Sequence, residues 1–131
     1  MSPLALRRSG IGLTVLVALF LAMDAGGKLF APAMMIANSP PLGIPADEGL
    51  YRMLGAVLGI SLTLYLIPRA ALLGAILLTG YLGGAVEAHV RVGSPLFSHT
   101  LFGVYLGVMI WAALWCRNPA LRVLFPLRKG D

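Results

Sequence analysis

The chain has 131 residues, 59% hydrophobic and only 11% charged, with a mean hydropathy of +0.89 and a net charge of +5. A water-soluble domain carries about 25% charged residues, so this chain has too few polar groups to cover a surface facing water, and lipid must face much of it. The positive balance does not point to nucleic acid, because the basic residues sit at the ends of apolar runs rather than in a cluster interleaved with aromatics.

Charge-free stretches cover 9–23, 53–68, 70–86 and 92–116. With their flanks, each is long enough for one span of about 20 residues. The length allows one domain, so the expected architecture is all-α: a four-transmembrane-helix bundle, up-down-up-down, covering 1–131. The first helix is expected over about 10–30. Asp24 and Lys28 lie four apart in its last third and meet on one face as an acid-base pair. Arg7-Arg8 followed by an apolar run also resembles the start of a secretory signal peptide, but no good small-x-small cleavage site follows.

Residues 31–46 read as a loop, because Pro32, Pro40, Pro41 and Pro45 forbid a long helix. One amphipathic turn is expected over 33–37. Asp47 is placed to cap the second helix, expected over about 48–67, with Glu48 in its first turn. The hinge Pro68-Arg69 is so short that the second and third helices must form an antiparallel hairpin. The third helix is expected over about 70–90. Ser94 is expected to cap the fourth, over about 95–115, with Pro95 at its first position. Tyr105, Trp111 and Trp115 read as interfacial anchors. Cys116, the one cysteine, reads as a small apolar filler. The tail, 117–131, reads as short, polar and basic.

Charge sets the expected orientation. Arg7, Arg8, Arg69, Arg117, Arg122, Arg128 and Lys129 fall on one side, and Lys28, Arg52 and Arg91 on the other. The positive-inside rule then puts both termini of a multi-pass chain in the cytoplasm. Three small-xxx-small pairs, Gly55 and Gly59, Gly80 and Gly84, and Gly103 and Gly107, predict close helix packing, within one bundle or between two copies.

With four crossings, Asp24, Lys28, Arg52, Glu87, His89, Arg91 and His99 gather at the outward membrane face. Ionisable groups are costly in lipid and default to a functional hypothesis. Charges at helix ends also mark an interface, and Glu87 and Arg91, four apart, read as a self-satisfied pair. His89 points away from Glu87, and His99 lies across the turn within reach of either. Imidazoles titrate near neutral pH, so proton handling or binding of a polar headgroup is the chemistry such a cluster offers. The ligand spacings of a metal site are absent, as are a phosphate loop, a nucleophile elbow and a haem motif. No metal and no catalytic residue is assigned.

The run 65–86, YLIPRAALLGAILLTGYLGGAV, followed by His89-Val90-Arg91, Ser98-His99-Thr100-Leu101 and Tyr105-Leu106-Gly107, resembles the DoxX-like family of small bacterial membrane proteins. Lys28-Leu29 and the segment 118–126 also fit. The chain departs from that pattern at Glu87-Ala88, where Ala-Thr is expected, which shifts weight toward His89, Arg91 and His99. The resemblance implies a four-helix integral membrane protein. The family takes its name from a subunit associated with quinone-linked oxidation of sulfur compounds. By that name it implies an accessory, non-enzymatic subunit, with a quinone as cofactor and a redox protein as partner. The alternative is a small proton-coupled exporter working as a homodimer. Exporters of this length carry an acid deep in the first helix, whereas Asp24 lies late in it beside Lys28.

Overall fold

The first helix begins where the chain can be capped, not where the apolar run begins. In the computed structural model, which describes residues 1–128 and 130, α1 covers Pro3–Phe30, seven residues earlier than the hydropathy suggests. The Ser2 hydroxyl accepts the Ala5 N–H at 3.2 Å, and Pro3 takes the first turn, where its missing donor costs nothing. At about 1.5 Å per residue, the 28 residues of α1 outreach a hydrocarbon core of about 30 Å. Arg7 and Arg8 thus stand beyond the apolar zone. Lys129 and Asp131, the first of them counted among the orienting charges, lie outside the described residues.

A short helix, α2 (Pro32–Asn38), follows with Pro32 in its first turn. It is two residues longer than the single turn expected there. The prolines keep the following segment irregular up to α3 (Glu48–Leu66), where the Asp47 carboxylate accepts the Leu50 N–H at 2.7 Å, as expected of a cap. Ile67, forced toward extended backbone by Pro68, ends α3 at ψ 118°. The chain reverses at once into α4 (Ala71–Arg91), giving the antiparallel hairpin.

The entry to the last span differs from expectation. Ser94 does not cap a helix; its hydroxyl is bonded to His89 Nδ1 at 2.9 Å. The backbone instead takes a π-helical turn over Leu96–Thr100, with Thr100 N–H donating to Pro95 O at 3.1 Å and Leu101 N–H to Leu96 O at 2.9 Å. Regular helix, α5, begins only at Phe102 and runs to Arg117. The tail is not a free polar strand either. Asn118 Oδ1 accepts the N–H groups of Ala120 and Leu121 at 3.1 and 3.3 Å, starting α6 (Pro119–Leu124), and Leu121 is buried. Trp115 Nε1 donates to Phe125 O at 3.0 Å, and Phe125 stacks on Trp111 at 5.0 Å. These tryptophans hold the tail rather than serving only as interfacial anchors.

Four helical segments are each long and apolar enough to cross a membrane: α1, α3, α4, and the π turn continued by α5 over Leu96–Arg117. They form a ring in the order α1, α3, α4, α5, each packed on two neighbours. Residues recurring every three or four positions fill the centre: Val17, Leu21 and Ala25; Leu58, Leu62 and Tyr65; Ala71, Ala75, Leu78 and Leu82; Leu106, Ile110 and Leu114. The opposite faces carry exposed Leu19, Ile60, Leu73, Ile76 and Val108, apolar groups that suit lipid and not water. Among the described residues, the diagonal pairs α1/α4 and α3/α5 make no close backbone contact. A tyrosine hydroxyl spans each diagonal instead. Tyr65 donates to Ile110 O at 2.8 Å, and Tyr81 receives Lys28 Nζ at 2.9 Å.

The six glycines expected to pack divide. A Cβ on Gly55 would meet Lys28 Cβ at 2.8 Å, and one on Gly103 would meet Val86 Cγ2 at 2.9 Å. Gly59 is only loosely opposed, with Ala25 Cβ at 4.0 Å, and Gly80, Gly84 and Gly107 face open space. Their side of the helix turns toward cavities, so shared spacing did not become shared contact. The tightest approaches are elsewhere, at Gly74 against the Tyr65 backbone and at Gly10 against Ala113 O, Cys116 and Arg117.

Candidate functional site

The ends of α1 and α4 and the starts of α3 and the π turn lie at one face, as an up-down-up-down bundle requires. Because the diagonal helices stay apart, the ring opens there into a cavity of about 520 Å³. The loop after α2 contributes to its wall through Ser39, Leu42 and Ile44.

Four of the expected site residues open into this cavity: Asp24, Lys28, His89 and His99. Lys28 Nζ donates to Asp24 Oδ2 at 2.6 Å and to Tyr81 OH at 2.9 Å. The side chains of Lys28 and Asp24 are 15% and 27% exposed, so the pair is largely shielded. The i, i+4 spacing on α1 makes the ion pair, and the diagonal reach to Tyr81 fixes where the ammonium sits.

Toward the end of α4, the His89 ring meets the His99 ring edge to face with centroids 5.9 Å apart. His89 Nδ1 is bonded to Ser94 Oγ, and His99 Nδ1 to Ser98 Oγ at 2.7 Å. Each serine therefore orients its imidazole through Nδ1 and leaves Nε2 uncommitted. The π turn is what carries His99 back over α4, since an ordinary helical turn starting at Pro95 would rotate it differently.

Glu87 and Arg91 are not among the residues lining this cavity. They face out, 66% and 52% exposed, with Arg91 Nε 3.9 Å from Glu87 Oε1. So exposed and long a pair contributes little to stability. Arg52 is exposed as well. The expected outward cluster is thus two groups, a cavity set and a surface set. Among the described residues, no three His, Cys, Asp or Glu side chains converge as metal ligands would.

Tyr81 was missed in the sequence reading, and its spacing gives only a weak signal. His89, eight residues on, and Arg91, ten on, are each turned about 80° from Tyr81 around a helix, in opposite senses, and Glu87 about 120°. Tyr51, Phe20 and Phe102 also line the cavity, with the two phenylalanine rings packed edge to face at 5.1 Å. Only the packing of α1 on α5 brings those rings together.

The arrangement can hold a molecule with an apolar body and two hydrogen-bond acceptors. Its lower wall is apolar, with Leu21, Leu54 and Leu106, and its rim offers an ammonium, a phenol and two imidazoles. Its volume lies within the range of about 300–1,000 Å³ usual for small-molecule sites. A family model described as the DoxX-like family matches residues 12–113. No curated protein and no solved structure matches the chain.

Proposed function

The chain belongs to the DoxX-like family, and from that premise we propose that it is a non-catalytic accessory subunit of a quinone-linked redox system in the bacterial cytoplasmic membrane. Both termini lie in the cytoplasm in this reading. The quinone head sits in the cavity at the opposite face. One observation carries the reading: the Lys28 ammonium, the Tyr81 hydroxyl and the imidazoles of His89 and His99 all open into one cavity whose remaining lining is largely apolar. A quinone head has carbonyl acceptors on opposite ring edges, and its ring suits the apolar wall formed by Leu21, Leu54, Leu106 and Phe102. When bound, the quinone supplies the electron-carrying chemistry. This chain's residues bind its head, orient it and shield it from water. Glu87, Arg91 and Arg52, exposed on the same face, are available to a redox partner protein.

The exporter reading is less well supported. It needs a carboxylate free to exchange a proton, and Asp24 is held by Lys28 at 2.6 Å.

The test is purification in mild detergent followed by mass spectrometry of co-purifying quinone. A near-stoichiometric quinone is expected, reduced about tenfold or more by His89→Ala or Tyr81→Phe if each removes about 1.5 kcal/mol of hydrogen bonding. Absence of quinone, or its retention unchanged in both variants, would overturn the assignment. Proton-driven drug uptake in proteoliposomes would favour the exporter.

A further inference from the structure

A second cavity, of about 590 Å³, lies along the seam of α4 and α5 on the lipid side, bordered by exposed Val104 and Val108. It runs from Gly103 to Trp115 and is closed at the tail end by Phe125 and Pro126. Its few polar side-chain atoms are already engaged. Thr79 Oγ1 donates to Ala75 O at 2.7 Å and accepts from Trp111 Nε1 at 2.8 Å, while Trp115 Nε1 is bonded to Phe125 O. The groove therefore offers an occupant only apolar contact.

Its tail end is different. The Arg122 guanidinium lies 5.8 Å from the centre of the Trp115 ring, and no carboxylate pairs with it among the described residues. Arg7, Arg8 and Arg69 lie at the same end of the bundle. Apolar length ending in a cation is the complement of one kind of molecule. We infer that an anionic phospholipid of the tail-side leaflet docks here, with one acyl chain in the groove and its phosphate at Arg122.

Charge and length support this occupant over a second copy. A second copy would bring the same Arg7, Arg8, Arg69 and Arg122 to this end, where the described residues include no carboxylate. From Gly103 to Trp115 the groove follows twelve helical steps, about 18 Å, close to the half-thickness of a hydrocarbon core of about 30 Å, the reach of one acyl chain. Basic pockets between membrane helices bind anionic headgroups for the same electrostatic reason.

The chain has two tryptophans, Trp111 and Trp115, and both line the groove. Their fluorescence therefore reads its occupancy directly. The full-length protein is reconstituted into phosphatidylcholine vesicles containing a small fraction of either brominated phosphatidylglycerol or brominated phosphatidylcholine. Quenching by the anionic lipid is expected at about fivefold lower mole fraction, the enrichment one basic residue provides. Arg122→Gln, a substitution at a partly exposed side chain, should abolish that preference while leaving quenching by both lipids. Gly107→Leu, which puts a side chain into the open groove, should weaken quenching by both. Equal quenching by the two lipids in the unaltered protein would overturn the proposal. So would shielding from both lipids together with cross-linking between copies, which would assign the groove to a dimer interface.

Discussion

Lys28 ties the bundle across its diagonal, and that explains why a lysine survives inside an apolar span. Its ammonium meets Asp24 and the Tyr81 hydroxyl across the gap between α1 and α4, whose backbones make no close contact among the described residues. Removing one partner of a shielded pair leaves the other charge uncompensated. Lys28→Met should therefore lower stability by about 1–3 kcal/mol, below the full cost for a buried pair because both side chains keep some exposure. The double variant Asp24→Asn/Lys28→Met should recover most of that loss, as thermal unfolding in detergent would reveal. A single variant as stable as the parent would mean that the pair only marks an interface. Glu87 and Arg91 behave differently, since their separation of 3.9 Å and their exposure leave little energy to lose. Arg117 also differs from its expected place in a solvated tail. Its guanidinium lies 5.1 Å from the centre of the Tyr65 ring, with Nε and Nη2 buried and without a hydrogen-bond partner among the described residues.

At the scale of elements, the α3–α4 hairpin holds the closest approach made at any glycine among the described residues. Gly74 abuts the Tyr65 backbone, so a methyl group there must push the two helices apart at their hinge. Gly80, on the same helix, meets nothing. Gly74→Ala should cost about 1–3 kcal/mol as overpacking, whereas Gly80→Ala should be neutral or stabilise by up to about 1 kcal/mol through helix propensity. Unfolding of the two variants side by side separates contact from spacing; equal effects would show that the hinge relaxes freely. The entry to α5 is the other informative element. Ser94 and Pro95 satisfy every local rule for a helix start, yet the Ser94 hydroxyl goes to His89 and the backbone takes a π turn. A partner five residues back, at the end of α4, outcompeted the cap, and the result sets His99 beside His89.

For the molecule as a whole, four spans put both ends of the chain on one face and the polar cavity on the other. The excess of arginines on the terminal face sets the expected orientation. Reporter fusions at residue 2 and after residue 128 should both be active only in the cytoplasmic format. Activity of either in the periplasmic format would reverse the orientation and place the Lys28–His89 cavity inside. The ring of helices also explains why the molecule has two distinct concavities. One lies within the ring where the diagonal opens, and the other lies outside it along the α4–α5 seam, with Leu82 and Gly103 forming part of both walls.

The amino-acid sequence by itself determined the solvent, the number of spans, the tight hairpin at Pro68 and the face on which the ionisable groups gather. These follow from hydropathy, charge and length, which are properties of position along a line. Its resemblance to a family pointed the same way. Tertiary structure alone decided which ionisable groups share a cavity, which glycines touch, and that Tyr81 belongs with Lys28. Each residue turns a helix by about 100°, and only the packing of four helices sets where each face points. Spacing placed Glu87 and His89 at one depth; rotation and the π turn put His89 and His99 into the cavity and left Glu87 at the surface.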